Sequence, residues 1–152
     1  MKLKNQVSTL EQSEKLLSLG VCRNSQFFHK YLGISDNGAE WDVVCDENLK
    51  CYSDTENHIP AFTVAELGVM LPSELLSTEQ LVKFLLLQFE KPWFENESYA
   101  CHYIEVDYAY DRGSYIHSQL GSTEAEARAA MLIYLLENNL TTAAEVNERL
   151  AA

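Results

Sequence analysis

Residues 99–139 read YACHYIEVDYAYDRGSYIHSQLGSTEAEARAAMLIYLLENN, and the change of period inside this stretch decides the fold. Over residues 99–120 apolar and polar side chains alternate, aromatics are frequent, and Asp111, Arg112 and Gly113 interrupt the pattern. A period of two places successive side chains on opposite faces of a strand. A three-residue loop ending at Gly113 predicts a hairpin, because glycine accepts the positive φ such a loop needs. With Tyr110 opposite Ser114, Tyr108 faces Ile116, Val106 faces Ser118 and Ile104 faces Leu120. The other face then carries Asp107 opposite His117 and Glu105 opposite Gln119. The expectation is a half-buried ribbon with helices on its apolar side.

From Gly121 onward the period becomes helical. Thr123 and Glu126 form the pattern of a capping box, so the helix is expected to start there. Ala127, Ala130, Met131, Tyr134 and Leu135 fall on one face, and Leu132, Ile133 and Leu136 widen it until the C-terminal half is apolar nearly all round. A helix of that kind is buried. Its apolar run covers residues 131–136, far short of the roughly 18 residues a membrane span requires. It reads as core. Thr142 and Glu145 mark a second capping box and a closing helix.

Working outward, STLEQSEKLLSLGVC predicts a first helix, capped by Ser8 or Thr9 and ended at Gly20. NSQFFHKYLG predicts a short second helix, since Phe27, Phe28, Tyr31 and Leu32 follow helical spacing. ISDNGAE is a turn by its residue types, and WDVVC and LKCYS then read as two short strands. Thr63 and Glu66 announce a helix that Pro72 stops, and a further helix is expected over residues 79–90. The fold expected is a single α+β domain. About five or six helices pack on an antiparallel sheet built from two hairpins, at about residues 41–53 and 99–120.

Composition agrees with one domain. The chain has 152 residues, 47% of them hydrophobic, enough to bury a core without a disulfide or metal staple. The balance of 23 acidic against 11 basic residues gives a formal charge of −12. That surface repels phosphate backbones, so neither nucleic acid nor an anionic membrane is an expected partner. The opening MKLKNQVSTLEQ has no apolar run of the secretory kind, and a cytoplasmic location with reduced thiols is expected.

Chemistry is sparse. The chain contains no dinucleotide, phosphate-loop, zinc-protease or nucleophile-elbow motif. Cys45, Cys51 and His58 could offer three metal ligands, but no fourth is evident, and neither a metal nor a cofactor is expected. The expected opposition of Asp107 and His117, extended by Glu105, is the only acid–base pair the inferred hairpin creates. Such a carboxylate would raise the imidazole pKa. An exposed sheet face with paired charges reads the same way. Trp93, Phe94, Tyr99 and Tyr103 gather aromatic side chains around the segment KPWFENESYACHY, a composition suited to a partner or ligand. Candidate binding residues are therefore Trp93, Phe94, Tyr103, Glu105, Asp107 and His117, with no catalytic residue assigned.

Three segments, TLEQSEKLLSLGV, IPAFTVAELGVMLP and EAEARAAMLIYLLENNL, together resemble a loose set of short proteins from gut anaerobic bacteria and their prophages. That set shows an early EQSKKLLELG-like helix, a PAxT/SxxxLLxxLP-like segment and a closing EADARAKMLIYLLENKLI-like helix. The chain departs from it at Ala130, where lysine is common, and at Thr141-Thr142, which replaces an apolar close. The resemblance implies association with a phage or mobile element. It carries no activity and no site residue. The expectation is a non-catalytic protein acting through a protein partner. The alternatives are a small enzyme or small-molecule binder on the polar face of the second hairpin, and an acidic mimic of nucleic acid.

Overall fold

The structure is a computed structural model that describes residues 3–22, 25–35, 38–45, 58–76, 84–90, 98–107 and 112–152, with residues 76, 84–90, 105–107 and 112–116 in backbone only. The described elements run α1 (Leu10–Ser18), β1 (Phe27–Ser35), β2 (Gly38–Cys45), β3 (His58–Pro60), α2 (Val64–Met70), β4 (Glu74–Leu76), β5 (Phe84–Glu90), β6 (Tyr99–Asp107), β7 (Arg112–Gly121), α3 (Glu124–Glu137) and α4 (Ala143–Ala151). Two antiparallel sheets result. One has the order β2-β1-β3 and the other β4-β5-β6-β7.

The class is α+β, as expected, but the described residues hold four α-helices rather than five or six. Two segments read as helices are strands. Residues 27–35 pair with β2, and residues 84–90 lie between β4 and β6. In the first, apolar residues at helical spacing also suit a strand once a partner exists, and tertiary pairing overrides local propensity. In the second, Phe84, Leu85, Leu86 and Leu87 form an unbroken apolar run whose period cannot distinguish a central strand from a helix. The expected hairpin at 41–53 is likewise displaced. WDVVC is the second arm of a hairpin whose first arm is β1, and LKCYS lies outside the described residues.

The helices begin where their caps require. Thr9 and Gln12, Thr63 and Glu66, and Thr142 and Glu145 each form a reciprocal capping box. Such a box satisfies two backbone donors that the first turn leaves unpaired. At α3 only half of the expected box forms. The Thr123 hydroxyl accepts the Glu126 N–H at 3.2 Å, while the Glu126 carboxylate reaches past the cap to the N–H of Ser122 at 2.9 Å and to its hydroxyl. Gly121 makes this possible. A Cβ there would overlap the backbone nitrogen of Ala127 and lie 2.7 Å from the Cβ of Glu126.

Helix α3 packs on β6 and β7, and α1 and α2 pack against α3 in turn. Met131, Leu132 and Leu135 are fully buried with Leu16, Leu67, Met70, Cys101, Tyr103 and Val146. Each leucine-sized side chain removed from water there contributes about 1.5–3 kcal/mol. The run over residues 131–136 is thus the centre of the core. Polar ties fasten its borders. Arg149 Nε donates to the Met70 carbonyl at 2.9 Å, closing the C-terminal end of α2 against α4, and Gln12 Nε2 donates to the Glu126 carbonyl at 3.0 Å.

Candidate functional site

The sheet face expected to be polar and open is the one α3 covers. His117 pairs with Tyr103, Gln119 with Cys101 and Leu120 with Ala100. Paired residues share a face, so His117 lies with the buried Tyr103 and Cys101 beneath α3, while Leu120 points the other way and is 63% exposed. The cause is register. The strands close at Asp107 opposite Arg112, leaving residues 108–111 between them, and Gly113 sits inside β7 opposite Val106. An irregularity between Tyr103 and Ile104 shifts the pairing by one further residue. Glu105 therefore faces Ser114, and the expected opposition of Asp107 and His117 does not form.

His117 instead meets Tyr134 of α3. Its Nδ1 lies 3.0 Å from the Tyr134 hydroxyl, and the rings are 5.2 Å apart at 46°. Partial burial holds its pKa below the ordinary value of 6.5, opposite in sign to the expectation from a carboxylate neighbour. A neutral imidazole bonded to a tyrosine of the core helix is a packing contact, with neither a nucleophile nor a carboxylate in its described bonds.

Other reactive side chains are spent in the same way. The hydroxyl of Tyr103, a residue with no exposed surface, donates to the Pro72 carbonyl at 2.6 Å, and burial pushes its pKa upward. Burial pushes the Cys101 thiol up to about 11, so it stays protonated and unreactive at neutral pH. Ser8, Ser13 and His29 lie together, which suggests nucleophile chemistry until the bonds are followed. The two hydroxyls are 2.7 Å apart, and Ser8 Oγ accepts the Phe62 N–H at 3.0 Å. His29 Nε2 lies 2.9 Å from the Ser8 backbone carbonyl, and a carbonyl only accepts, so the ring's proton sits on Nε2. Burial lowers the His29 pKa, and that backbone bond partly opposes it. These groups hold the segment before α1 against β1 and the start of α2.

Trp93, Phe94 and Cys51 lie outside the described residues, and of Glu105 and Asp107 only the backbone is described. Among the described residues no group of three histidine, cysteine or acidic side chains could hold a metal ion.

What remains is a surface the sequence reading missed. β3 pairs with β1 only at residues 28–30, so beyond Lys30 the described sheet is a two-stranded ribbon joined across residues 36 and 37. Its pairs are Tyr31 with Trp41, Gly33 with Glu40, and Ile34 with Ala39. Along β2, residues 39, 41 and 43 share a face. Ile34 therefore joins Ala39, Tyr31, Trp41 and Val43 in one apolar stripe. Ile34 is 83% exposed, and the rings of Tyr31 and Trp41 meet at 5.3 Å and 56°. Leu32, beside the irregularity between Tyr31 and Gly33, is 57% exposed. The opposite face carries Lys30 across from Asp42, and Glu40. A sequence signal for this ribbon existed. Asn37-Gly38, between two runs rich in aromatic and β-branched residues, is a strong hairpin sign.

No protein family, curated protein or solved structure matches the chain.

Proposed function

We propose that this chain is a non-catalytic protein that acts by binding another protein, and that the outer half of the β1–β2 ribbon is the binding element. The observation that carries the reading is the apolar stripe of Ile34 and Ala39, both exposed, and Tyr31 and Trp41, both half-buried, on a ribbon with no helix or third strand described over it. Aromatic anchors beside aliphatic neighbours are the side chains that dominate protein interfaces. An apolar surface held in water on a narrow ribbon costs stability, and a partner recovers that cost on binding. The state of the polar groups supports the same reading, because Ser8, Ser13, His29, Tyr103 and His117 are bonded within the packing. The resemblance to short prophage-associated proteins suits a small cytoplasmic binder deployed by a mobile element.

Affinity purification from the source cells, with wild type, Ile34→Ser and Val69→Ser compared quantitatively, tests the reading. Val69 is an exposed apolar residue on α2, outside the ribbon strands. Proteins retained by wild type and Val69→Ser but lost by Ile34→Ser are the expected result. The same retained set for all three sinks it.

A further inference from the structure

We propose that the partner is a cationic protein that lies across the apolar face of the ribbon rather than adding a strand to β2. This rests on the interaction reading above and goes beyond it in naming the partner's charge and the mode of docking. The first ground is charge. The stripe is backed by Glu40 and Asp42, both exposed, with Lys30 as the single lysine or arginine on the described ribbon, and the chain carries a formal charge of −12. A second copy of this chain would bring two such ribbons and two such surfaces together, and like charge opposes that approach. A surface rich in lysine and arginine around an apolar centre is attracted by the same field. Nucleic acid is excluded on sign alone.

The second ground is the state of β2's backbone. The carboxylate of Asp42 accepts the N–H of Val43 at 2.8 Å. That donor is occupied, so an incoming strand finds the backbone ladder interrupted at Val43, in the second half of β2. The apolar face has no such obstruction. Tyr31 and Trp41 are already braced against one another, so little side-chain freedom is lost when a partner covers them. Ile34 and Ala39 supply the outer end of the same stripe, and Glu40 and Asp42, exposed on the same strand, set the sign of the field around it.

The test is site-specific photo-crosslinking in the source cells, with the photoreactive residue placed at Ala39 and, as a control, at Val69. The expected adduct at Ala39 contains a different protein with an excess of lysine and arginine. Its yield falls several-fold in lysate as salt is raised, because the charge component is screened. It also falls several-fold in an Ile34→Ser background, and the Val69 probe does not give it. An adduct with a neutral or acidic protein, insensitive to salt, overturns the cationic partner while leaving the interaction reading intact. An adduct with a second copy of the chain overturns it in favour of self-association. No adduct at Ala39 removes both.

Discussion

The side chain of Asn147 fastens α4 to the turn at Gly20 with both ends of its amide. Nδ2 donates to the Gly20 carbonyl at 3.0 Å, and Oδ1 accepts the N–H of Cys22 at 2.8 Å. Gly20 stands at φ +92°, the left-handed conformation that ends a helix, with the Cβ of Ala143 only 3.1 Å from where its own would be. Asn147→Ala removes both bonds and leaves the Cys22 N–H without its acceptor. The expected loss is about 1–3 kcal/mol, read from denaturant melts. A change near zero would mean that water replaces both contacts.

Leu135 and Leu132 lie at the centre of the core with no exposed surface. Leu→Ala at either position should cost about 2–5 kcal/mol, with the larger loss where the cavity collapses less. Melts in which both variants lose under about 0.5 kcal/mol would contradict the packing of α3 on the sheet.

At Gly121 the backbone of β7 passes so close to α3 that there is no room for a methyl group. Gly121→Ala should destabilise by about 1–3 kcal/mol, because the obstruction is backbone and cannot rotate away. Gly38→Ala makes a useful comparison. Its φ of +109° imposes strain, yet nothing lies within 4 Å of the added atom, so any loss there reports conformation alone. Equal losses with unchanged Ser122–Glu126 contacts would argue against crowding at Gly121.

Burial holds both His29 and His117 below the ordinary value of 6.5. Their neutral forms are therefore favoured by folding. The stability is fully present above the unfolded value and is lost as pH falls from there towards each folded value, because the unfolded chain binds the proton first. Glu145 acts in a lower window. The Thr142 N–H, then the hydroxyls of Thr142 and Thr141, hold its carboxylate below the ordinary 4.5, so its contribution is lost as pH falls through that depressed value. Thermal melts should show a decline beginning near pH 6.5, reduced in His29→Gln if that variant remains folded. NMR titration should place both imidazoles below the unfolded reference. A His117 value above it would restore a carboxylate neighbour.

Random-sequence DNA should give no mobility shift at physiological salt, since a formal charge of −12 opposes every phosphate contact. Salt-sensitive binding in the micromolar range would reveal a positive surface assembled from distant residues.

The elements legible in the sequence are those whose signals are local. Thr63 and Glu66, three residues apart, specify the start of α2 without help from the rest of the chain, and Pro72 specifies its end. The apolar breadth of α3 likewise announced its burial. Where pairing is distant, the reading failed. Residues 84–90 become a strand because β4 and β6 flank them, information held at residues 74–76 and 99–107. β1 was hidden because it is apolar on both faces: Phe27 and Phe28 lie on opposite sides of the strand, so Phe27, Phe28, Tyr31 and Leu32 fall at helical intervals, and the pairing that makes them a strand is held at residues 39–45. The candidate residues suffered from register. A hairpin assumed to turn within three residues put His117 opposite Asp107, whereas the closure at Asp107 and Arg112, together with the irregularity between Tyr103 and Ile104, puts it opposite Tyr103, a different chemical neighbourhood.

The irregularity in β1 has a geometric consequence. Between Tyr31 and Gly33 the strand holds one residue more than its partner, and Gly33, at φ +130°, absorbs it in a conformation other residues adopt only with strain. Without Leu32 the pairs of Tyr31 with Trp41 and Ile34 with Ala39 could both persist, with both faces kept. What would change is direction, because a bulge adds right-handed twist and bends the strand that carries it. Leu32 thus acts as a shim. It sets the angle at which the ribbon's outer end leaves the body of the protein, and a deletion there would re-aim the apolar stripe while leaving its composition untouched.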